Sequence, residues 1–197
     1  TLFGSLWISS HPTPLRNHYQ VLYLDFSRIL GNIDVLEEKF NSYCCDQLND
    51  FIDTYRDDYP KERVEEFLRS DDHGQKLNLL LNMSRKYGQA LYLIIDEYDS
   101  FTNIVFSEQV EETYFKTSLI GRFYSHVFKL FKGMFERIFL TGVSPVTLDD
   151  LTSGFNIGWN ISMAPELDKM LGFSTEDVHQ MFTYFKEAGQ LPADSDI

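Results

Sequence analysis

Leu91-Tyr92-Leu93-Ile94-Ile95-Asp96-Glu97 is an apolar run that stops abruptly at two adjacent carboxylates. Five consecutive apolar residues are too few for a helix and fit a strand buried on both faces. Asp96 and Glu97 then emerge at the strand's carboxyl end, where open α/β sheets bind their ligands. Adjacent acids there suit a magnesium–nucleotide site. The first orients Mg²⁺, largely through its waters, and the second polarises the water that attacks a γ-phosphate. The bland alternative is an Asp that caps the next element.

Outward from that run, the flanking segments read as alternating strands and helices. After the loop His11-Pro12-Thr13-Pro14, residues Val21 to Ser27 form a first strand that also ends on an acid and a hydroxyl. From Asp34 to Tyr55 the apolar positions Leu36, Phe40, Cys44, Leu48, Phe51, Ile52 and Tyr55 recur three and four apart, as on an amphipathic helix. Asp34 and Glu37 are spaced like a capping box. A short acidic helix follows Pro60, and another, Gly74 to Tyr87, sets Leu77, Leu80, Leu81 and Ser84 on one face and stops at Gly88. Beyond the decisive run, Glu108 to Phe135 suits a helix apolar round much of its surface, and Arg137 to Gly142 a third strand. A polar loop occupies Thr147 to Asn160, Asn160 to Met163 reads as a fourth strand, and the tail as a helix boxed by Ser174 and Asp177. Strand, helix, strand, helix, strand implies a parallel sheet with right-handed crossovers.

With 197 residues, 43% of them hydrophobic, the chain can bury a substantial core. A net charge of −13 argues against a broad nucleic-acid or anionic-membrane footprint, so any phosphate site must be local. Cys44 and Cys45 are neighbours and cannot supply a disulfide framework. With no apolar run of membrane-spanning length, the expected location is the cytoplasm. His11, His18, His73, His126 and His179 are scattered without zinc-enzyme spacing. Gly142-Val143-Ser144-Pro145 is no nucleophile elbow, because Val146 stands where a second glycine is needed. Arg122 and Arg137 are candidates for a finger or sensor across a subunit boundary, with surface ion pairing as the simpler role.

In a parallel sheet all three strand ends lie on one edge. Asp25 with Ser27, Asp96 with Glu97, and Thr141 with Ser144 therefore converge, and a hydroxyl on one strand can bond an attacking water beside the acids of its neighbour. Asp99 reads as a cap or loop residue.

These segments, "HPTPLRNHYQVLYLDFSRI", "LYLIIDEYDSFTN", "RIFLTGVSPVTLDDLTSGFNIGWNIS" and "LDKMLGFSTEDV", resemble the predicted AAA-ATPase-like proteins, often fused to a PD-(D/E)xK nuclease-like domain. The resemblance runs in family order across nearly the whole chain. It implies a three-layer αβα P-loop NTPase domain, an ATPase using Mg²⁺ and ATP. Asp96 takes the Walker B metal role, Glu97 the catalytic base, and Thr141 or Ser144 the polar sensor. Tyr98-Asp99 and the loop from Leu148 to Asn156 match family motifs with no assigned physical role. The implied organisation is an NTPase core over 1–165 and the start of a helical lid or linker over 166–197. The implied partners are ATP, a C-terminal nuclease-like effector domain and other copies in an oligomer.

Within these residues there is no G-x-x-x-x-G-K-[ST], the loop whose amides and Lys cradle the phosphates. In the family that loop and its strand precede the Phe3–Trp7 region, so the expectation is a core lacking its first strand and inactive as an isolated piece. Each charge-assisted contact forgone is worth about 1.5–3 kcal/mol. The competing expectation is a degenerate, non-catalytic module that binds protein partners. A third is a metal-dependent nuclease built on Asp25, Asp96 and Glu97.

Overall fold

The computed structural model describes residues 4, 7–100, 121–123, 134–143, 159–167, 172–192 and 195. Three parallel strands, β1 (Gln20–Asp25), β2 (Leu91–Asp96) and β3 (Arg137–Leu140), stand in the order β1-β2-β3. Asp25 pairs with Asp96, and Ile95 with Leu140, so the strands end together. The α/β class and the parallel sheet are as the sequence predicts.

Among the described residues α1 (Trp7–Ser10) precedes β1, and α2 (Ile33–Thr54), α3 (Lys61–Leu68) and α4 (His73–Tyr87) lie between β1 and β2. In α2 the periodic residues Leu36, Phe40, Cys44, Leu48, Phe51 and Ile52 are all buried. The capping box expected of Asp34 and Glu37 does not form. The helix starts one residue earlier, with Asn32 as N-cap, and Asp34 lies in the first turn, where its charge faces the positive helix end. In α4 the Asp72 carboxylate accepts the Gln75 N–H at 2.7 Å. The helix ends at Gly88, whose φ of 71° is the left-handed conformation that glycine adopts without a Cβ penalty.

Leu22, Leu24, Leu91, Leu93 and Ile95 form one buried face, packed with α2, α4 and the ring of Phe123. That ring contacts Phe26, Phe40 and His73 at centroid distances of 6.0, 5.1 and 5.7 Å. The opposite face is only partly covered: Tyr92 and Ile94 are half-buried, and Val21 and Tyr23 are 39% and 43% exposed. The expectation of a strand buried on both faces is therefore corrected. Sequential parallel neighbours joined by crossovers of one hand receive their helices on the same face, and among the described residues the layers are two, helices and sheet.

β1 is the outer strand of the three, and α2 closes its free edge. The hydroxyl of Tyr55 accepts the Val21 N–H at 3.0 Å and that of Tyr43 accepts the Asp25 N–H at 2.7 Å. At the amino end, the buried Tyr59 hydroxyl donates to Gln20 Oε1 at 2.5 Å and lies 2.9 Å from Ser84 Oγ, tying β1 to α4.

By its contacts the chain divides into Thr1–Phe155 and Asn156–Ile197. The second unit holds α5 (Thr175–Glu187), started by the expected Ser174–Asp177 capping box. Its apolar residues Val178, Met181 and Phe185 are exposed. Asn160 to Met163 is a turn rather than a strand: Asn160 Oδ1 accepts the Ser162 N–H and Ile161 O accepts the Ala164 N–H. An Asn side chain that bonds the backbone two residues on substitutes for strand pairing. The expected helix over 108–135, apart from 121–123 and 134–135, and the expected loop over Leu148 to Asn156 lie outside the described residues. No helix among the described residues is long and apolar enough to cross a membrane.

Candidate functional site

At the carboxyl edge of the sheet the four acids Asp25, Asp96, Glu97 and Asp99 have four different environments. β1 ends at Asp25, two residues short of the expected Ser27, because Asp25 caps a 3-10 turn over Phe26–Arg28. Its Oδ1 accepts from the Ser27 N–H at 3.1 Å and the Ser27 hydroxyl at 2.6 Å, and its Oδ2 from Arg28 Nε at 3.1 Å. That carboxylate is committed to its own turn.

Asp96 is the meeting point of the three strands. Its Oδ1 accepts from the Thr141 hydroxyl and from the Glu97 N–H at 3.1 Å, and its Oδ2 from the Tyr23 hydroxyl at 3.0 Å. The Thr141 and Tyr23 hydrogen bonds, joined by the Glu97 amide, hold the Asp96 carboxyl below the ordinary carboxylate range against a smaller opposing effect of burial. The same contact with Asp96 raises the Tyr23 phenol. Sequence reasoning missed Tyr23. The signal was present, since β1 and β2 pair in register and a Tyr two residues before Asp25 shares the face of Asp96.

Glu97 adopts φ of 53°, one of two non-glycine residues described with positive φ. Among the described residues its carboxylate has no hydrogen-bond partner, while the backbone on either side is pinned. Ser100 N–H bonds Glu97 O at 2.9 Å, Tyr98 N–H bonds Thr141 O at 3.0 Å, and Thr141 N–H bonds Ile95 O at 2.9 Å. Left-handed backbone costs a side-chain-bearing residue about 1–2 kcal/mol, and such strain gathers where the side chain's placement matters.

Asp99 is buried and its carboxylate accepts the Val143 N–H, at 3.1 Å to Oδ2 and 3.3 Å to Oδ1. Asp99 stands in the turn after β2, as a cap or loop residue would, and through Val143 it joins that turn to the one after β3.

A Mg²⁺–nucleotide fits this donor set in part. A carboxylate offers about four acceptor positions. Asp96 uses two on Oδ1 and one on Oδ2, leaving Oδ2 one position for a water-mediated or single contact of the kind Mg²⁺ makes. Among the described residues no group of three or more His, Cys, Asp or Glu could hold a metal by itself. With Asp25 bound up in its own turn, the two-metal arrangement on Asp25, Asp96 and Glu97 is unsupported. Of the two sensor candidates, Thr141 reaches Asp96, and Ser144 lies outside the described residues. Arg122 is exposed, and Arg137 Nη1 donates to the Glu136 carbonyl at 3.0 Å.

A family model described as Predicted AAA-ATPase matches residues 1–152. No curated protein and no solved structure matches the chain.

Proposed function

The chain belongs to the AAA-ATPase-like family, and from that membership and the edge geometry we propose that the ends of β1, β2 and β3 are the acidic half of a Mg²⁺–ATP hydrolysis site. Asp96 holds the Mg²⁺, which when bound neutralises phosphate charge. Glu97 takes the proton of the attacking water, and Thr141 senses the γ-phosphate from the next strand, with Ser144 the alternative for that role. Tyr23 fixes the Asp96 carboxylate by donating to Oδ2, which keeps one acceptor position for the ion.

The observation that carries this reading is the contrast among the four acids. Asp25, Asp96 and Asp99 all accept hydrogen bonds, and Glu97 has no partner among the described residues. A general base must keep its lone pairs for the substrate. A cap would hold a backbone amide, as Asp25 does.

The phosphate-cradling loop is not within these 197 residues, so we propose that residues 1–197 alone do not hydrolyse ATP. In the complete protein, hydrolysis sets the state of an attached effector, a nuclease-like domain by family resemblance. The NTPase core spans 1–165, a helical lid or linker begins at 166–197, and the protein works in the cytoplasm as an oligomer.

Titration with a fluorescent ATP analogue, with and without Mg²⁺, tests this on the present chain and on one carrying its natural upstream sequence, each beside Asp96→Ala. The expected result is Mg²⁺-dependent binding by the longer form, weakened by about tenfold or more without Asp96, with Glu97→Gln retaining bound ATP. Absence of binding in both forms would leave a non-catalytic interaction module.

A further inference from the structure

The segment after β2 and the segment after β3 remain zipped together beyond the end of the sheet. Tyr98 N–H bonds Thr141 O, and the next residue, Asp99, receives through both carboxylate oxygens the N–H of Val143, two residues beyond Thr141. Between these two contacts sits Gly142. A Cβ there would lie 2.5 Å from Asp99 Oδ1 and 2.7 Å from Tyr98 Cε1, closer than atoms approach. Glycine is required because the two loops are in contact, and no positive φ is involved.

We infer that Asp99, Gly142 and Val143 form a latch in which Asp99 is a positioning residue, fixing Glu97 and Thr141 relative to each other. The inference rests on the ATPase reading above.

Glu97 lies between Asp96, held to Thr141 by its side chain, and Tyr98, held to the same residue by its backbone. Each bond alone permits the turn to pivot about Thr141. The Asp99–Val143 contact adds a third fixed point away from that pivot, so the left-handed turn at Glu97 cannot relax without breaking it. Asp99 is buried at 1% exposure, so a Val143 amide that moved away would take one hydrogen bond from a carboxylate shielded from water. Val143 itself is 83% exposed, so its side chain contributes little and its amide is the part that matters. Asp99 touches no reacting atom in this scheme. It acts through Glu97 by setting where that carboxylate stands, and small displacements of a base cost rate steeply.

The test has two independent readouts. Hydrogen exchange of the Val143 amide is followed by NMR in the present chain, in Asp99→Ala and in Asp99→Asn; Val143→Pro, which has no N–H there, enters the turnover measurement alone. ATP turnover is measured for all three substitutions in the form of the chain that binds nucleotide. Asp99→Ala should speed Val143 exchange by about tenfold, the loss of one hydrogen bond. It should lower kcat by about tenfold to a hundredfold with KM for ATP little changed. Asp99→Asn keeps one acceptor oxygen and should recover much of both. Val143→Pro removes the donor while sparing Asp99, and so reproduces the kcat loss should Asp99→Ala fail to fold. Unchanged Val143 exchange in Asp99→Ala would overturn the latch. Faster exchange with unaltered kcat, or a loss carried by KM, would overturn the positioning role. If the unsubstituted protein turns over no ATP, the ATPase reading fails and the positioning role with it, while the exchange data still report whether the latch exists.

Discussion

Glu97 carries the sharpest conflict between stability and chemistry in the chain. Its φ of 53° is one that glycine would adopt without strain. Glu97→Gly is expected to raise stability by about 0.5–1 kcal/mol, the relief of roughly 1–2 kcal/mol of left-handed strain less the entropy that glycine adds to the unfolded chain. Urea unfolding measures it, and a variant less stable than the parent would show that the Glu97 side chain supports the fold. Asp96 gives the pH prediction. Its native pKa is depressed, by the Thr141 and Tyr23 hydroxyls foremost, so the stabilisation is fully present above the unfolded-chain value of about 3.9. It is lost as pH falls through the native value. Thr141→Val should therefore be less stable than the parent at neutral pH, with the gap narrowing below about pH 5. A gap that stays constant down to acid unfolding would mean that the Thr141 hydroxyl does not favour the ionised Asp96.

Among the elements, α2 contributes beyond its buried face. Tyr43 and Tyr55 present hydroxyls to outward-facing amides of β1, which would otherwise be a template for a second chain. The double variant Tyr43→Phe with Tyr55→Phe keeps both rings and removes both acceptors. It should self-associate more strongly than the parent in sedimentation velocity at matched concentration, and identical profiles would show that the edge is protected by bulk alone. The helices also show where local reading succeeds. Gly88 and the Ser174–Asp177 box are decided within one turn of chain and were legible. The box expected of Asp34 and Glu37 does not form because the helix begins at Ile33, which puts Asp34 inside the first turn instead of at the N-cap.

At the scale of the molecule, 30 acidic against 17 basic side chains leave few places where a polyphosphate would be welcome. The sheet answers this locally. It ends three strands together, so that the hydroxyls of Tyr23 and Thr141 hold Asp96 from strands on either side of β2. Topology also decides burial: helices and Phe123 gather on one face of the sheet, while Val21 and Tyr23 on the other stay exposed. The period-two burial of β2 follows, and it is why an apolar run that reads as covered on both sides is fully buried on only one.

Sequence alone determined three of the four expected strands, their parallel arrangement and the acid pair, because apolar periodicity and strand-end carboxylates are local properties of the chain. It located Asp96, Glu97 and Thr141 at one edge by counting alone. Tertiary structure decided which acids are engaged. Asp25 is taken by its own turn, Asp96 by two neighbouring strands and Asp99 by the turn after β3. These partners lie up to 73 residues away in sequence, and hydrogen bonds are fixed by distance in space, which no spacing along the chain records.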